Sequence, residues 1–323
     1  MNNASVPALE PSVARTFLAA GIFAPSLIGF FMYASFIRVV FTHKDYRCKS
    51  YYQLAAGLGL AEVTALFLII VYAVPSIIFG KALGGKTANI ISGLIIEIAW
   101  WCTYPFTCLL ALNRLLSICY KQYYDTVFTG RTRKCCILFS YLFSFTLSST
   151  ALFKCCYLLL YADYYGWTYD FEGTGATVMA KLDAAICLTT ILFSGTCNGL
   201  VFKKYLSIHH EIAQCLTSKD QELIRKSREF KLFFQFFIIA VYMTVYDIVY
   251  NIVPFFSSSS IAFYILTLMY ILHLSINGYV YIFMNAPLRQ KAFKFIFQST
   301  SSTEVKLINT VSKVNHHKPP VVK

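Results

Sequence analysis

Four residues of one apolar stretch, Glu97, Trp100, Trp101 and Tyr104, recur at i, i+3, i+4 and i+7, the spacing of a single helix face. A carboxylate beside aromatic rings can hold a small molecule by ion pairing or hydrogen bonding at the acid and by cation–π contact at the rings. That face is expected to turn inward, because a carboxylate directed at hydrocarbon is costly. Residues of the same kind stand in three later apolar stretches: Asp183, then Tyr246, Asp247 and Tyr250, then Tyr270 and His273. These ten are the candidate ligand-binding residues. The alternative is packing, since a chain with 29 Phe and 23 Tyr fills its core with rings at helical spacing whatever it binds.

The elements that must position them belong to a membrane protein. The chain has 323 residues and net charge +13, with 57 % hydrophobic residues, 13 % charged and a mean hydropathy of +0.59. Soluble domains carry about 25 % charged residues, so this chain cannot cover a water-facing surface. That argues against a soluble enzyme, a disordered chain or a nucleic-acid module. A hydrocarbon slab about 30 Å thick is crossed by about 20 apolar residues. Seven such stretches run from Thr16 to Ile37, Tyr51 to Phe79, Ala88 to Leu112, Cys135 to Tyr161, Leu182 to Phe202, Leu232 to Pro254 and Ile261 to Met284. The fold class is therefore all-α, a bundle of seven transmembrane helices, with surrounding lipid as its first partner. The expected organisation is a tail over 1–14, the bundle over 15–284, a short amphipathic helix over 285–298 and a disordered tail over 299–323. In the amphipathic stretch Phe293, Ile296 and Phe297 alternate with Arg289, Lys291 and Lys294, the pattern of an interfacial helix.

Orientation follows from the basic residues, which are retained on the cytoplasmic side. With the N-terminus outside, 23 of the 28 Lys and Arg fall on that side, leaving Arg15, Lys81, Lys86, Lys154 and Lys181 outside or at the edge. The first stretch is too long for the apolar region of a signal peptide and is expected to stay in the membrane. Asn3-Ala4-Ser5 is a glycosylation sequon in the expected outer tail. The loop Lys203–Lys231 is long and mixed in charge, suited to helical extensions of the fifth and sixth stretches or simply to a solvated loop.

Enzyme chemistry is not expected. No Gly-rich phosphate loop, His-Glu-x-x-His or Cys-x-x-Cys stands out, and the membrane holds a single His, His273. Neither a cofactor nor a metal is implied. Eleven cysteines, none before residue 48 or after 215, are not a secreted disulfide framework. Nor is there an internal repeat or pore-loop signature, which weakens two alternatives, a ligand-gated seven-helix channel and a small-solute transporter.

Ionisable residues inside the bilayer cost about 2.5 to 3.5 kcal/mol each, so each one retained needs a partner. Here they are Glu62, Glu97, Asp183, Asp247 and, near an edge, Lys154. Read with their neighbours, three motifs appear: Leu58-Gly59-Leu60-Ala61-Glu62 in the second stretch, Leu112-Asn113-Arg114-Leu115 at the end of the third, and Asn277-Gly278-Tyr279-Val280-Tyr281 followed by Asn285-Ala286-Pro287 in the seventh. The chain resembles the rhodopsin-like G-protein-coupled receptors, marked by Leu-Ala-x-x-acid, acid-Arg-aromatic and Asn-Pro-x-x-Tyr in that order. Within them it is similar to the nematode serpentine chemoreceptors, on Asn113-Arg114, Phe128-Thr129-Gly130-Arg131 and Tyr165-Gly166-Trp167-Thr168-Tyr169-Asp170, and among those to the class T branch.

The resemblance implies a chemosensory, olfaction-type receptor at the plasma membrane, in sensory cilia of neurons, activating a heterotrimeric G protein. It implies that Arg114 faces the cytoplasmic mouth and meets the G protein there, with lipid headgroups as the alternative partner. Asn113 lacks the family acid's charge, so Glu229 is the candidate lock. Glu62, Asn277 and Tyr281 would form a polar network, either switching or merely structural, with Gly278 as a flexible point where the family has Pro. Departures are the absence of Cys over Thr87–Ser92 and Tyr161–Lys181, which removes the usual disulfide, and the absence of Trp from the fourth stretch and of mid-helix Trp and Pro from the sixth.

Overall fold

A helix that is apolar all round is at home only where one side meets core and the other meets lipid. The first helix shows both: Ile22, Tyr33 and Phe36 are buried, whereas Phe17, Ile28 and Phe31 are exposed. The computed structural model describes residues 11–170, 174–214, 237–250, 252–253 and 259–294. In chain order these form α1 (Pro11–Thr42), α2 (Lys44–Arg47), α3 (Ser50–Leu68) running through a π-helical turn into α4 (Val74–Ile78), α5 (Gly85–Cys119), α6 (Lys121–Val127) and α7 (Gly130–Ser148). A hairpin of β1 (Leu158–Tyr161) and β2 (Gly166–Tyr169) follows, then α8 (Thr174–Gln214), α9 (Phe237–Tyr250), α10 (Ser260–Met284) and α11 (286–294). Among the described residues six helical spans are long and apolar enough to cross a membrane, and α9 is a shorter apolar helix. The π-helical turn Ile69–Ala73 precedes Pro75, whose missing N–H a regular helix could not accommodate.

Small residues let the helices approach. Ser140, Ser144 and Ser148 recur every fourth residue on the buried face of α7, which lies against α5. Tyr33 of α1 is wedged between glycines of two neighbours, Gly59 of α3 and Gly278 of α10; a Cβ on Gly278 would stand 3.0 Å from the Tyr33 ring. Gly29 likewise admits the Ser275 hydroxyl of α10. Gly278 thus allows close packing within the helix Ser260–Met284.

At the ends, α11 follows Asn285, whose side chain accepts the Leu288 N–H at 3.2 Å and whose amide donates to Tyr52 at 2.9 Å. Lys291 pairs with Asp45 at 3.0 Å and lies over the Tyr46 ring; hydrogen bonding to that ammonium lowers the Asp45 carboxyl from its ordinary value.

Two expectations are corrected. The fourth stretch is not helical to Tyr161: α7 ends at Ser148, one 3-10 turn follows to Leu152, and Leu158–Tyr161 is a strand. Its leucines are apolar because they are covered by helix ends, and hydropathy alone does not separate a buried strand from a helix. Lys154 therefore lies outside any span, exposed in a turn. α1 is described from Pro11 onward, within the stretch expected as tail.

Candidate functional site

The helix spacing places Trp100 at the centre of the ten expected residues. Its ring packs against Tyr104 on its own helix, Tyr250 of α9 at 5.0 Å between centroids, and Tyr270 and His273 of α10 at 5.8 Å each. Tyr246 of α9 stands 5.8 Å from Trp100 and 4.9 Å from His273. Asp183 of α8 accepts the Trp100 indole N–H at 2.7 Å and the Tyr104 hydroxyl at 2.8 Å on the same oxygen. Asp247 is brought to the edge of this group, hydrogen-bonded with the Cys187 thiol of α8. Four elements, α5, α8, α9 and α10, thereby meet around one indole.

Glu97 and Trp101 face the hairpin. Glu97 Oε1 accepts the Trp101 indole N–H at 3.3 Å and the Tyr169 hydroxyl of β2 at 3.0 Å. The same face of α5 holds the rest of the hairpin. The Asn89 amide donates to the Leu160 carbonyl at 3.2 Å and accepts its N–H at 2.8 Å, so one side chain pairs with β1 as a neighbouring strand would. Ser92 accepts the Trp167 indole N–H at 3.2 Å, and Gly93 leaves room for the Leu158 carbonyl. Asn89 thus ties helix to loop by hydrogen bonds, with no disulfide among the described residues. The hairpin is also fastened to α1 by Arg15 and Asp163 at 2.6 Å.

Within this cluster several buried polar atoms have no hydrogen-bond partner among the described residues: Glu97 Oε2, the Tyr270 hydroxyl and both ring nitrogens of His273. Glu97 and His273 are each only 1 % exposed.

At the other end of α5, Arg114 does not reach outward to headgroups. Its guanidinium lies over the Tyr51 ring at 4.9 Å and hydrogen-bonds the hydroxyls of Tyr51 and Tyr281, which also touch each other. Asn113 beside it is buried. Asn277 donates to Glu62 at 3.4 Å, and the Tyr33 hydroxyl, close to the same carboxyl, donates to the Ala55 carbonyl at 3.5 Å. Of the expected network, Asn277 meets Glu62, whereas Tyr281 bonds to Tyr51 and Arg114. Between them and α8 lies a cavity of about 40 Å³ whose lining includes Arg114, Asn198, Asn277 and Tyr281. Glu229, the expected lock, and Asn3 lie outside the described residues.

Sequence reasoning missed Tyr51, Tyr33, Asn89 and Tyr169. Tyr169 stood in a noted motif, but only pairing with β1 turns it toward Glu97. Tyr51 was visible only as the first residue of an apolar stretch.

A sequence profile described as "Serpentine type 7TM GPCR chemoreceptor Srx" matches residues 23–285. The chain belongs to the Srx family of serpentine chemoreceptors. No curated protein matches it. The crystal structure of squid rhodopsin superposes with a TM-score of 0.73 at 14 % identity, covering 99 % of this chain and 98 % of that one. The fold of this Srx chain is thus the seven-helix bundle of rhodopsin, in a multi-pass membrane protein. Membership in Srx replaces the class T branch suggested by the motifs. Those motifs serve tasks of the bundle at large and so do not mark a branch: Thr129 caps α7, and Trp167 and Tyr169 seat the hairpin.

Proposed function

We propose that this chain is a chemosensory receptor that binds a small molecule in the aromatic and carboxylate cluster beneath the hairpin and activates a heterotrimeric G protein at the Arg114 end. The observation that carries the reading is the set of unpartnered buried polar atoms on Glu97, Tyr270 and His273. Each such group costs about 1 to 3 kcal/mol to leave unsatisfied, so a ligand that hydrogen-bonds to them recovers several kcal/mol on entry. Asp183 already accepts two donors, which makes Glu97 and His273 the better anchors for a ligand carrying both donors and acceptors, with Trp100 and Tyr250 as its aromatic walls. A cationic centre between Glu97 and these rings fits the same chemistry. α5 carries both Trp100 and Arg114, with Pro105 between them as the point where a shift at Trp100 can bend the helix toward Arg114.

The test is a small-molecule screen in cells carrying a G-protein-activation reporter. Agonists with hydrogen-bonding or cationic groups are expected, with potency reduced about tenfold or more in Glu97→Gln and in Tyr270→Phe, the loss of one hydrogen bond. Equal potency in both variants would remove the site. An evoked current or solute uptake that persists without any G protein would replace the receptor by a channel or a transporter.

A further inference from the structure

Consecutive side chains on an α-helix diverge by about 100°. The adjacent cysteines Cys135 and Cys136 lie within α7 in that arrangement. Cys155 and Cys156 do not. They occupy a single 3-10 turn, Lys154–Cys156, entered through an extended Phe153, and their Sγ atoms stand 3.0 Å apart. Cys155 is exposed and Cys156 is buried.

This turn is a joint of three elements. It links the end of α7 to β1, and the next residue, Tyr157, accepts the N–H of Asp170 through its carbonyl at 2.9 Å, closing the hairpin's open end. On its other side lies the start of α8, where a Cβ at Gly175 would overlap Cys156 Sγ and the Cys155 carbonyl. Any change in the Cys155–Cys156 backbone is therefore passed to the hairpin whose Tyr169 holds Glu97.

We propose that Cys155 and Cys156 form a redox modification site, a vicinal dithiol that a peroxide converts reversibly to a disulfide at the root of the hairpin. The sulfur of Cys155 attacks the peroxide; the O–O bond breaks, an S–O bond forms and one water leaves. The Cys156 sulfur then displaces the hydroxyl of that sulfenic acid, forming the S–S bond and releasing a second water. One peroxide gains two electrons and two thiols lose them. Burial and the hydrogen bond with Cys155 push the Cys156 thiol up to about 11, so the exposed partner meets the oxidant and the buried one resolves it. Adjacent Cα atoms are 3.8 Å apart, below the about 4.4 to 6.8 Å usual for disulfides, which makes such a bond readily reducible and suits it to switching. The consequence for ligand binding rests on the receptor reading above, whereas the oxidation itself does not.

The experiment uses the full chain purified in detergent, treated with hydrogen peroxide, alkylated with iodoacetamide and analysed peptide by peptide. The expected result is loss of label from both Cys155 and Cys156, a peptide lighter by two hydrogens, and recovery of both labels after dithiothreitol, with Cys135 and Cys136 labelled throughout. In Cys156→Ser, the oxidised Cys155 is expected to stop at the sulfenic acid and be trapped by a cyclic dione. Undiminished label on both cysteines of the wild-type chain after peroxide overturns the proposal, as does irreversible oxidation of Cys155 with Cys156 still free. The wild-type measurement decides even if the variant fails to fold, and it fails independently of any result of the ligand screen.

Discussion

Among the described residues, Arg114 is gripped by two tyrosines. A guanidinium bonded to hydroxyls gains about 1.5 to 3 kcal/mol for each bond. The grip joins α5 to α3 and α10, since Tyr51 and Tyr281 come from those two helices. If release of Arg114 accompanies coupling, Tyr51→Phe removes one bond from the resting arrangement and shifts the two-state balance by about tenfold. Raised basal nucleotide exchange on the G protein in membranes is the expected outcome; a basal rate equal to the wild type would show that Tyr51 merely packs. Arg114→Ala is expected to abolish evoked signalling with surface expression intact, and preserved signalling would exclude the Arg114 end as the coupling site.

At the scale of elements, two devices bring the site together and neither is visible in hydropathy. Asn89 replaces a covalent tie by a two-bond pairing with Leu160, buried on both sides. Asn89→Ala leaves the Leu160 N–H and carbonyl unmatched, and a loss of about 1 to 3 kcal/mol is expected, read as a lower midpoint in thermal unfolding of the detergent-purified chain. An unchanged midpoint would mean that the hairpin is held by its other contacts, those of Arg15, Ser92 and Glu97. Gly278 gives the second case: a methyl there meets Tyr33 ring and backbone at 3.0 to 3.1 Å, so Gly278→Ala is expected to cost about 1 to 3 kcal/mol. Gly195 of α8 meets nothing within 4 Å, and Gly195→Ala is expected to stabilise by about 0.5 to 1 kcal/mol, the ordinary preference of a helix for Ala. The helices themselves were legible, because a run of some twenty apolar residues has one reading in a membrane. The face Glu97-Trp100-Trp101-Tyr104 was legible too, because helical spacing fixes which side chains align. What escaped was everything set by approach between elements: the strand character of Leu158–Tyr161, the wedge of Tyr33 between two glycines, and the hydroxyl partners of Arg114.

For the whole molecule the open choice is which end faces the cell exterior. The hairpin, Arg15 and the Gly80–Gly85 turn lie at one end, with Arg114, α2, α6 and α11 at the other. Each Lys or Arg near an anionic leaflet contributes about 1 kcal/mol, so the ten described basic residues in and beside α2, α6, the start of α7 and α11 outweigh the five at the hairpin end. The expectation is that the hairpin end is external and that Asn3 is glycosylated. Asn3→Gln should then remove a mobility shift sensitive to glycosidase, and a sequon introduced into the Gly80–Gly85 turn should restore one, whereas a sequon placed in α6 should not. Modification at α6 and not at the turn would invert the molecule. The aromatic cluster would then open toward the cytosol and Arg114 toward the medium, an arrangement in which neither ligand capture from outside nor G-protein contact is physically available.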